Sequence, residues 1–251
     1  MIRAYMYKLI RSPLLYIGFL GVAAVCSTDL LSHGIHYGNV VDRMNIFLNI
    51  GVYRKAVAVF CALPFTANFA DEWTGGIALQ CIARKGVKKY AAANILLCWF
   101  TAMLTTILGM LGYCGFLSIF IPFSKHYVNP YGFIFGELLH SGSSGAYILL
   151  RITVFASSCA MWAVIGMLLS AFFPNKYAAI CAPFAASYVV ERITIQFPPR
   201  FNLWYVSLSL VEFDSDLLGF LYCVGIFAAI AAASGIGFYI VVRKRVRNEF
   251  T

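Results

Sequence analysis

Six long apolar runs constrain the fold of this chain more than any other feature. They lie at about residues 13–31, 52–70, 91–121, 146–173, 177–197 and 217–242. A helix of roughly 20 residues crosses the ~30 Å hydrocarbon core of a bilayer, and each run is about that long or longer. Lipid offers the backbone no hydrogen-bond partners, so such runs are expected to be helices, and the sequence lacks the alternation typical of barrel strands. The sequence predicts an all-α integral membrane protein with six transmembrane helices.

The composition supports a single membrane domain. Hydrophobic residues make up 61% of the 251 residues and charged residues 12%, with a mean hydropathy of +0.81. Soluble proteins average about 25% charged residues. No low-complexity linker and no polar domain separates the runs, so we expect residues 1–251 to form one transmembrane domain.

The basic residues predict the orientation. Lys and Arg favour the cytoplasmic side of a membrane. With the N-terminus inside, 12 of the 19 basic residues are cytoplasmic, including the tight clusters at 84–89 and 243–247. Both termini are therefore predicted to be cytoplasmic. This bias and contact with anionic lipid account for the net charge of +9, so we expect no nucleic-acid partner.

Residues 1–12 are predicted to form an amphipathic helix in the membrane interface. One helical face collects the apolar side chains: Ile2, Tyr5, Met6, Leu9 and Ile10. Ser12-Pro13 then ends this helix and starts the first span. The alternative is a cleaved signal peptide with Leu14–Val25 as its apolar core, but the amphipathic pattern of the charged region weighs against it.

Two segments on the predicted outer side carry their own patterns. Residues 32–51 contain an apolar set typical of a short amphipathic helix: Val40, Val41, Met44, Phe47 and Leu48. Arg54 and Lys55 follow at the start of the second span, where snorkelling is the default interpretation. Residues 198–216 are aromatic but polar at their edges, which favours an aromatic-belt or shallow re-entrant position.

The polar insert 71–90 separates the second and third runs. It has no acid after Glu72 and turns basic from Arg84 onwards. The insert is thus expected to form a short helix that is preceded by acidic residues and followed by basic ones. Because it lies between two membrane helices, it is a plausible docking surface for a cytoplasmic partner. We also expect Glu72 to bond to the N-terminus of this helix, where the helix dipole favours an acid, with simple anchoring at the membrane interface as the alternative.

The sequence lacks the common motifs for phosphate binding and for metal-dependent catalysis. It has no G-x-x-x-x-G-K-[ST] phosphate loop and no H-E-x-x-H metal motif, so we predict neither catalytic nor metal-binding residues. His33 and His36 could share a helical face, although a solvated pair is the simpler interpretation. Glu191 and Arg192 lie within the fifth run and are candidates for lining a pathway or gate, with structural anchoring as the alternative.

Taken in chain order, these features resemble the permease subunit of an ABC-2-type exporter over essentially the whole length. In that family an amphipathic N-terminal helix precedes six spans, and a short coupling helix follows the second. The matching positions run in this order: Glu72, Gly75, Ile77–Ala83, Arg84, Lys88-Lys89-Tyr90, the turn 173–177, Pro183 and Asn202-Leu203-Trp204-Tyr205. The chain departs from the family at Asn94, where many relatives have Lys, and at Lys85-Gly86, where a Pro is common.

The resemblance implies that the chain is not an enzyme by itself. A separate cytoplasmic ABC ATPase, acting as a dimer, would bind ATP and Mg, and this chain would bind no cofactor. It also implies a second permease copy, most simply as a homodimer, in a bacterial cytoplasmic membrane. The residues implied in coupling to the ATPase are Glu72, Thr74, Gly75, Leu79, Arg84 and Lys88.

The cargo and two other classes of function stay open. In its small size and short outer loops, the chain looks most like bacterial peptide exporters, such as those for lantibiotic immunity or phenol-soluble modulins. The nearly uncharged spans favour hydrophobic peptides, drugs or lipids over sugars or ions. A motor-independent secondary carrier or membrane scaffold is the main alternative, although no internal repeat typical of carriers is evident. An intramembrane enzyme lacks paired acids or a Ser/His pair within the spans.

Overall fold

The computed structural model describes residues 2–34, 38–49, 51–123, 134–211, 213 and 215–249, with the backbone alone at 2–4, 32, 33, 51, 52 and 140. Every regular element in these ranges is helical, as the sequence predicts. The α-helices are α1 (Ile2–Arg11), α2 (Pro13–His33), α3 (Val40–Asn49), α4 (Gly51–Ala62), α5 (Asn68–Thr74), α6 (Ile77–Lys85), α7 (Val87–Leu117), α8 (Gly136–His140), α9 (Ser144–Phe172), α10 (Lys176–Thr194), α11 (Leu203–Ser207) and α12 (Asp216–Glu249). A single 3-10 turn covers Pro199–Phe201 in this part of the chain.

Four helices among the described residues are long and apolar enough to cross a membrane, namely α2, α7, α9 and α12. They match four of the six predicted runs, and the protein is of the helical transmembrane type. The third run begins and ends earlier than predicted, at Val87–Leu117. The last continues to Glu249, because Arg and Lys are good helix formers and extend α12 beyond its apolar part.

The predicted second span, 52–70, is interrupted. Helix α4 ends at Ala62, and α5 begins at Asn68 after a turn that contains Pro64. Proline has no N–H, and its ring clashes with the carbonyl four residues earlier, here that of Phe60. The helix therefore stops at Ala62, nine residues before the polar insert begins. Counted with α3, to which it is bent by 89°, α4 would give a fifth membrane span.

The predicted fifth span corresponds to α10, which begins after the short turn that the sequence predicts. The Asn175 side chain caps α10 by accepting a hydrogen bond from the Tyr177 N–H at 2.9 Å. Pro183 lies inside the helix. Glu191 and Arg192 lower its hydropathy, which explains why α10 is not among the four clearest candidate spans.

Helix α9 lies at the centre of the bundle. It packs against α4, α7, α10 and α12, and 78% of its most apolar stretch is buried, against 22% for α2 and α12. Small side chains such as Ala156, Ser157 and Ala160 are buried along it and allow neighbouring backbones to approach closely. The outer helices α2 and α12 expose large apolar residues, as lipid-facing helices do.

The bundle has two distinct ends. We call the basic end the one formed by α1, α5, α6, the start of α7 and the last turns of α9 and α12. Arg245 of α12 helps to join these elements, because it donates a hydrogen bond to the Phe172 carbonyl and lies over the Trp73 ring. Which side of a membrane this end faces stays a prediction.

The opposite end is built from the short segments between the long helices. The amphipathic helix predicted within 32–51 is confirmed as α3, and all five predicted apolar residues are buried. The Val40 N–H donates to the Pro122 carbonyl at 3.2 Å. Within 198–216, the described part contains α11, and the Ile134 N–H donates to the Ser209 carbonyl at 3.1 Å. These hydrogen bonds join the short segments of this end in pairs.

Close packing of α7 on α2 is testable at Gly109. A Cβ at this position would lie 2.6 Å from Val22 Cβ and 2.8 Å from the Phe19 carbonyl oxygen, whereas one at Gly112 would meet nothing within 4 Å. We expect Gly109→Ala to lower the free energy of unfolding by about 1–3 kcal/mol through overpacking. Gly112→Ala should be neutral or stabilising by up to about 1 kcal/mol. Thermal unfolding in detergent measures both, and equal transition temperatures would contradict this packing.

Candidate functional site

The polar insert folds into the end of α5, the whole of α6 and the first turn of α7. Gly76 precedes α6 and Gly86 follows it. Both glycines have left-handed backbone angles, with φ +72° at Gly76 and +80° at Gly86. Glycine adopts this conformation without the steric cost that other residues meet. The chain therefore turns sharply on both sides of α6, which sets this nine-residue helix apart from α5 and α7.

Helix α6 has one buried face and one exposed face. Ala78 and Ile82, which lie four residues apart, are buried. The outward stripe at positions 77, 80 and 84 is exposed and includes an isoleucine with 51% of its surface accessible. An exposed isoleucine two turns before Arg84, on the same stripe, gives α6 a mixed surface that suits contact with another protein.

Glu72 belongs to α5 and joins three helices. Its side chain is only 4% exposed, and its Oε2 atom accepts hydrogen bonds from the Tyr5 hydroxyl of α1 at 2.9 Å and the Tyr90 hydroxyl of α7 at 2.8 Å. Burial, with the neighbouring Glu72 carboxylate, raises the pKa of Tyr5 well above its usual value, so this hydroxyl stays protonated and keeps donating. Hydrogen bonds to a carboxylate are stronger than neutral ones.

A series of hydrogen bonds through two asparagine side chains lies next to the Glu72 contacts. The Lys8 ammonium donates to Asn68 Oδ1 at 3.1 Å, and Asn68 Nδ2 donates to Asn94 Oδ1 at 3.2 Å. Asn94 Nδ2 donates in turn to the Tyr90 carbonyl at 3.1 Å. We call this set the Glu72 network: Tyr5, Lys8, Asn68, Glu72, Tyr90 and Asn94. It links α1 and α5, which precede α6 in the chain, to α7, which follows it.

The expected bond from Glu72 to the N-terminus of the coupling helix is wrong. The residue at that end of α6 is Gly76, and no side chain caps it. Glu72 turns instead towards α1 and α7, because two phenol donors satisfy its buried carboxylate there. The carboxylate thus holds the helices around α6 rather than α6 itself.

The other residues implied in coupling occupy separate positions. The Thr74 hydroxyl donates to the Ala70 carbonyl at 2.8 Å, and the Gly75 N–H donates to the Asp71 carbonyl at 3.0 Å. Thr74 and Gly75 therefore lie at the C-terminal end of α5. Leu79 is half-buried on α6, whereas Arg84 and Lys88 are exposed. These residues border α6 without converging on one point, and their coupling role stays a prediction.

The opposite end contains a second charged group, centred on Glu191. Its Oε2 atom lies 3.1 Å from Lys55 Nζ and 3.4 Å from a terminal nitrogen of Arg54. Arg54 also donates to the Ser207 hydroxyl at 3.0 Å. Arg54 is only 3% exposed, so its predicted snorkelling is wrong: Glu191 and Ser207 satisfy its charge within the protein. Arg192 is exposed on a different side of α10, and the gate role of both residues stays a prediction.

Two buried polar contacts were missed by the sequence analysis. The fully buried Asp29 of α2 and Arg43 of α3 form an ion pair at 2.8 Å. The buried Arg151 of α9 donates to the Tyr147 hydroxyl, which donates to Asn45 Oδ1, each at 3.1 Å. Asp29 lies within the first apolar run, and an acid at such a position requires a partner. That signal was available in the sequence.

No metal site emerges in the part of the chain that the structure describes, where no three His, Cys, Asp or Glu residues are grouped to hold an ion. The predicted His33–His36 pair lies outside the described side chains. The polar clusters at the two ends consist of hydrogen-bonded and ion-paired side chains.

No family model matches this chain, and neither does any curated protein or solved structure. The resemblance to exporter permeases accordingly rests on the order of the motifs along the sequence. The geometry around α6 is a separate observation that bears on the same question.

The Glu72 network predicts unequal effects of removing tyrosine hydroxyls. Tyr5→Phe and Tyr90→Phe each leave the buried carboxylate with one donor fewer, so we expect each to lower the free energy of unfolding by about 1.5–3 kcal/mol. Tyr7→Phe is the matched control on α1, because Tyr7 is 58% exposed, and should change it by less than about 0.5 kcal/mol. Thermal unfolding in detergent measures the difference. Equal effects of Tyr5→Phe and Tyr7→Phe would show that the carboxylate does not hold α1.

Proposed function

We propose that this chain is the membrane-spanning permease subunit of an ATP-driven ABC-2-type exporter, with the ATPase on a separate cytoplasmic chain. The observation that carries the proposal is the position and the exposed surface of α6. This short helix lies at the basic end, exposes a mixed stripe, and lies in the chain between two helices, α5 and α7, that the Glu72 network joins. A partner bound to α6 would act directly on the membrane-embedded helices.

The connections around α6 suggest how motion would spread. A displacement of α6 passes through Gly86 into α7, which is long enough to cross a membrane. It also passes through α5 and the Pro64 turn into α4. The bonds from Tyr5 and Tyr90 to Glu72 make α1, α5 and α7 move together rather than separately. ATP and Mg would bind on the partner ATPase dimer, whose closure drives this movement.

In this proposal the chain crosses the membrane six times. Helix α4 with the Pro64 turn and α5 supplies the second crossing, and α10 supplies the fifth. Two copies, as a homodimer, complete the transporter in a bacterial cytoplasmic membrane. The basic end with both termini faces the cytoplasm, which agrees with the distribution of Lys and Arg.

The pairing of buried charges favours an amphipathic or hydrophobic peptide as the cargo. Asp29 lies against Arg43, and Glu191 against Arg54 and Lys55, so these charges already have protein partners. A pathway for sugars or ions would need polar groups directed at the solute. Drugs or lipids fit the same surface, and a screen of candidate cargoes for stimulation of the ATPase activity of the complex separates them from peptides.

A motor-independent carrier or scaffold is the alternative, and the Glu191 cluster is the observation that favours it. Carriers use charged residues within their helices to couple ion movement. Purification of a tagged copy in mild detergent from its native membrane, followed by mass spectrometry, distinguishes the two. A stoichiometric protein with a phosphate-binding loop supports the exporter, and a preparation without any ATPase supports the carrier or scaffold.

Glu72 provides the mutational test. We expect Glu72→Gln to reduce cargo-stimulated ATPase activity of the complex by up to about tenfold, because a loss of ~1.4 kcal/mol in charge-assisted bonding loosens the helices around α6. Expression should be unchanged. The control is Asp71→Asn, which removes the same charge from the adjacent, exposed position and should leave stimulation intact. Equal stimulation in wild type and Glu72→Gln would remove Glu72 from the mechanism.

A further inference from the structure

An open groove lies at the basic end between the α6–α7 junction and the last part of α12. Its volume is about 460 Å³. The lining combines four cations with two less polar side chains: Lys85, Lys88, Lys89, Arg243, Val87 and Tyr239. We call this feature the basic groove.

The cations of the basic groove have no protein counter-charge among the described residues. All four are exposed, and the ion pairs found in that part of the chain involve Arg43, Arg54 and Lys55 instead. No acidic residue contributes to the lining. Four like charges around one cavity repel one another and produce a positive potential that attracts an anion.

The basic groove borders an exposed apolar surface. Lys88 and Leu96 lie on one face of α7, two i,i+4 steps apart, and Leu96 is 61% exposed. On α12, Ile236 and Ile240 are 62% and 56% exposed and lie within two turns before Arg243. The cations therefore lie where the charged end of the bundle meets its lipid-facing side.

Contact between α7 and α12 closes the inner end of the groove. A Cβ at Gly235 would lie 3.1 Å from the Ile95 side chain, so the two helices touch there. Below this contact, towards the basic end, Val87 and Tyr239 form part of the groove wall. The cavity is thus bounded on its apolar side and open at its charged rim.

We propose that the basic groove binds the phosphate headgroup of an anionic phospholipid, whose acyl chains lie along Leu96 and Ile236. The cations attract the phosphate, and the Tyr239 hydroxyl can donate a hydrogen bond to it. A free phosphate or an acidic protein segment would use the charges but not the adjoining apolar surface. A lipid uses both, and this difference selects it.

This inference does not depend on the exporter role. It assigns to Lys88, which the family resemblance places in ATPase coupling, a lipid headgroup as its partner. Each Lys or Arg near a membrane surface contributes about 1 kcal/mol to the attraction of anionic lipid. Two such charges correspond to about a thirtyfold difference in affinity.

The test measures lipid binding to the purified full chain in detergent by native mass spectrometry. Wild type should retain phosphatidylglycerol in preference to phosphatidylcholine, and Lys88→Gln with Arg243→Gln should weaken phosphatidylglycerol binding about thirtyfold. The matched control is Lys176→Gln with Lys244→Gln, which removes two exposed charges from the same end outside the groove. Its affinity should stay within about threefold of wild type. Lys88→Arg with Arg243→Lys keeps the charge and should keep the binding, which separates lost affinity from misfolding.

Three results would overturn the proposal. The first is an equal loss of binding in the control pair, which would show a diffuse attraction to the whole basic end. The second is displacement of phosphatidylglycerol by inorganic phosphate at comparable concentration, which would show a simple anion site. The third is tighter binding of a polyglutamate peptide than of phosphatidylglycerol, which would assign the groove to an acidic protein.

Discussion

The basic end of the molecule depends on how one buried carboxylate is satisfied. Glu72 is nearly inaccessible, and a buried carboxylate costs several kcal/mol unless hydrogen bonds and charges compensate it. Its two phenol donors come from α1 and α7, while Glu72 itself belongs to α5. The N-terminal helix is therefore bonded to the bundle as well as amphipathic. Helix α6 takes its position from the helices that surround it.

At the opposite end, buried charges are likewise satisfied by residues of other helices, here mainly as ion pairs. Asp29 and Arg43 join the end of α2 to the short α3. Arg54 joins α4 to Glu191 of α10 and to Ser207 of α11. The contacts to α3 and α11 each join a short helix to a longer one, and the Arg54–Glu191 pair joins α4 to α10. Between the two ends, α9 packs through small side chains, so polar contacts hold the ends and close packing holds the centre.

Local patterns predicted some elements well and others badly. Helix α3 appeared with all five of its expected buried residues, because helical periodicity is a property of neighbouring positions. The break at Pro64 lay hidden in an apolar run whose composition alone indicated a continuous helix. At the candidate site, the sequence indicated that Glu72 and α6 belong together but assigned Glu72 the wrong partner. Tyr5 lies 67 residues from Glu72, and nothing local to either residue predicts their contact.

The sequence by itself determined that the chain is helical, apolar enough for a membrane and basic at particular segments. These properties follow from local composition, since lipid leaves the backbone only internal hydrogen bonds. The tertiary structure alone decided which side chains satisfy Glu72, Arg54 and Asp29. It also decided that Lys88 of α7 and Arg243 of α12 line one groove. Such pairings depend on how distant helices pack, because a buried charge takes whichever partner the fold brings within about 3 Å.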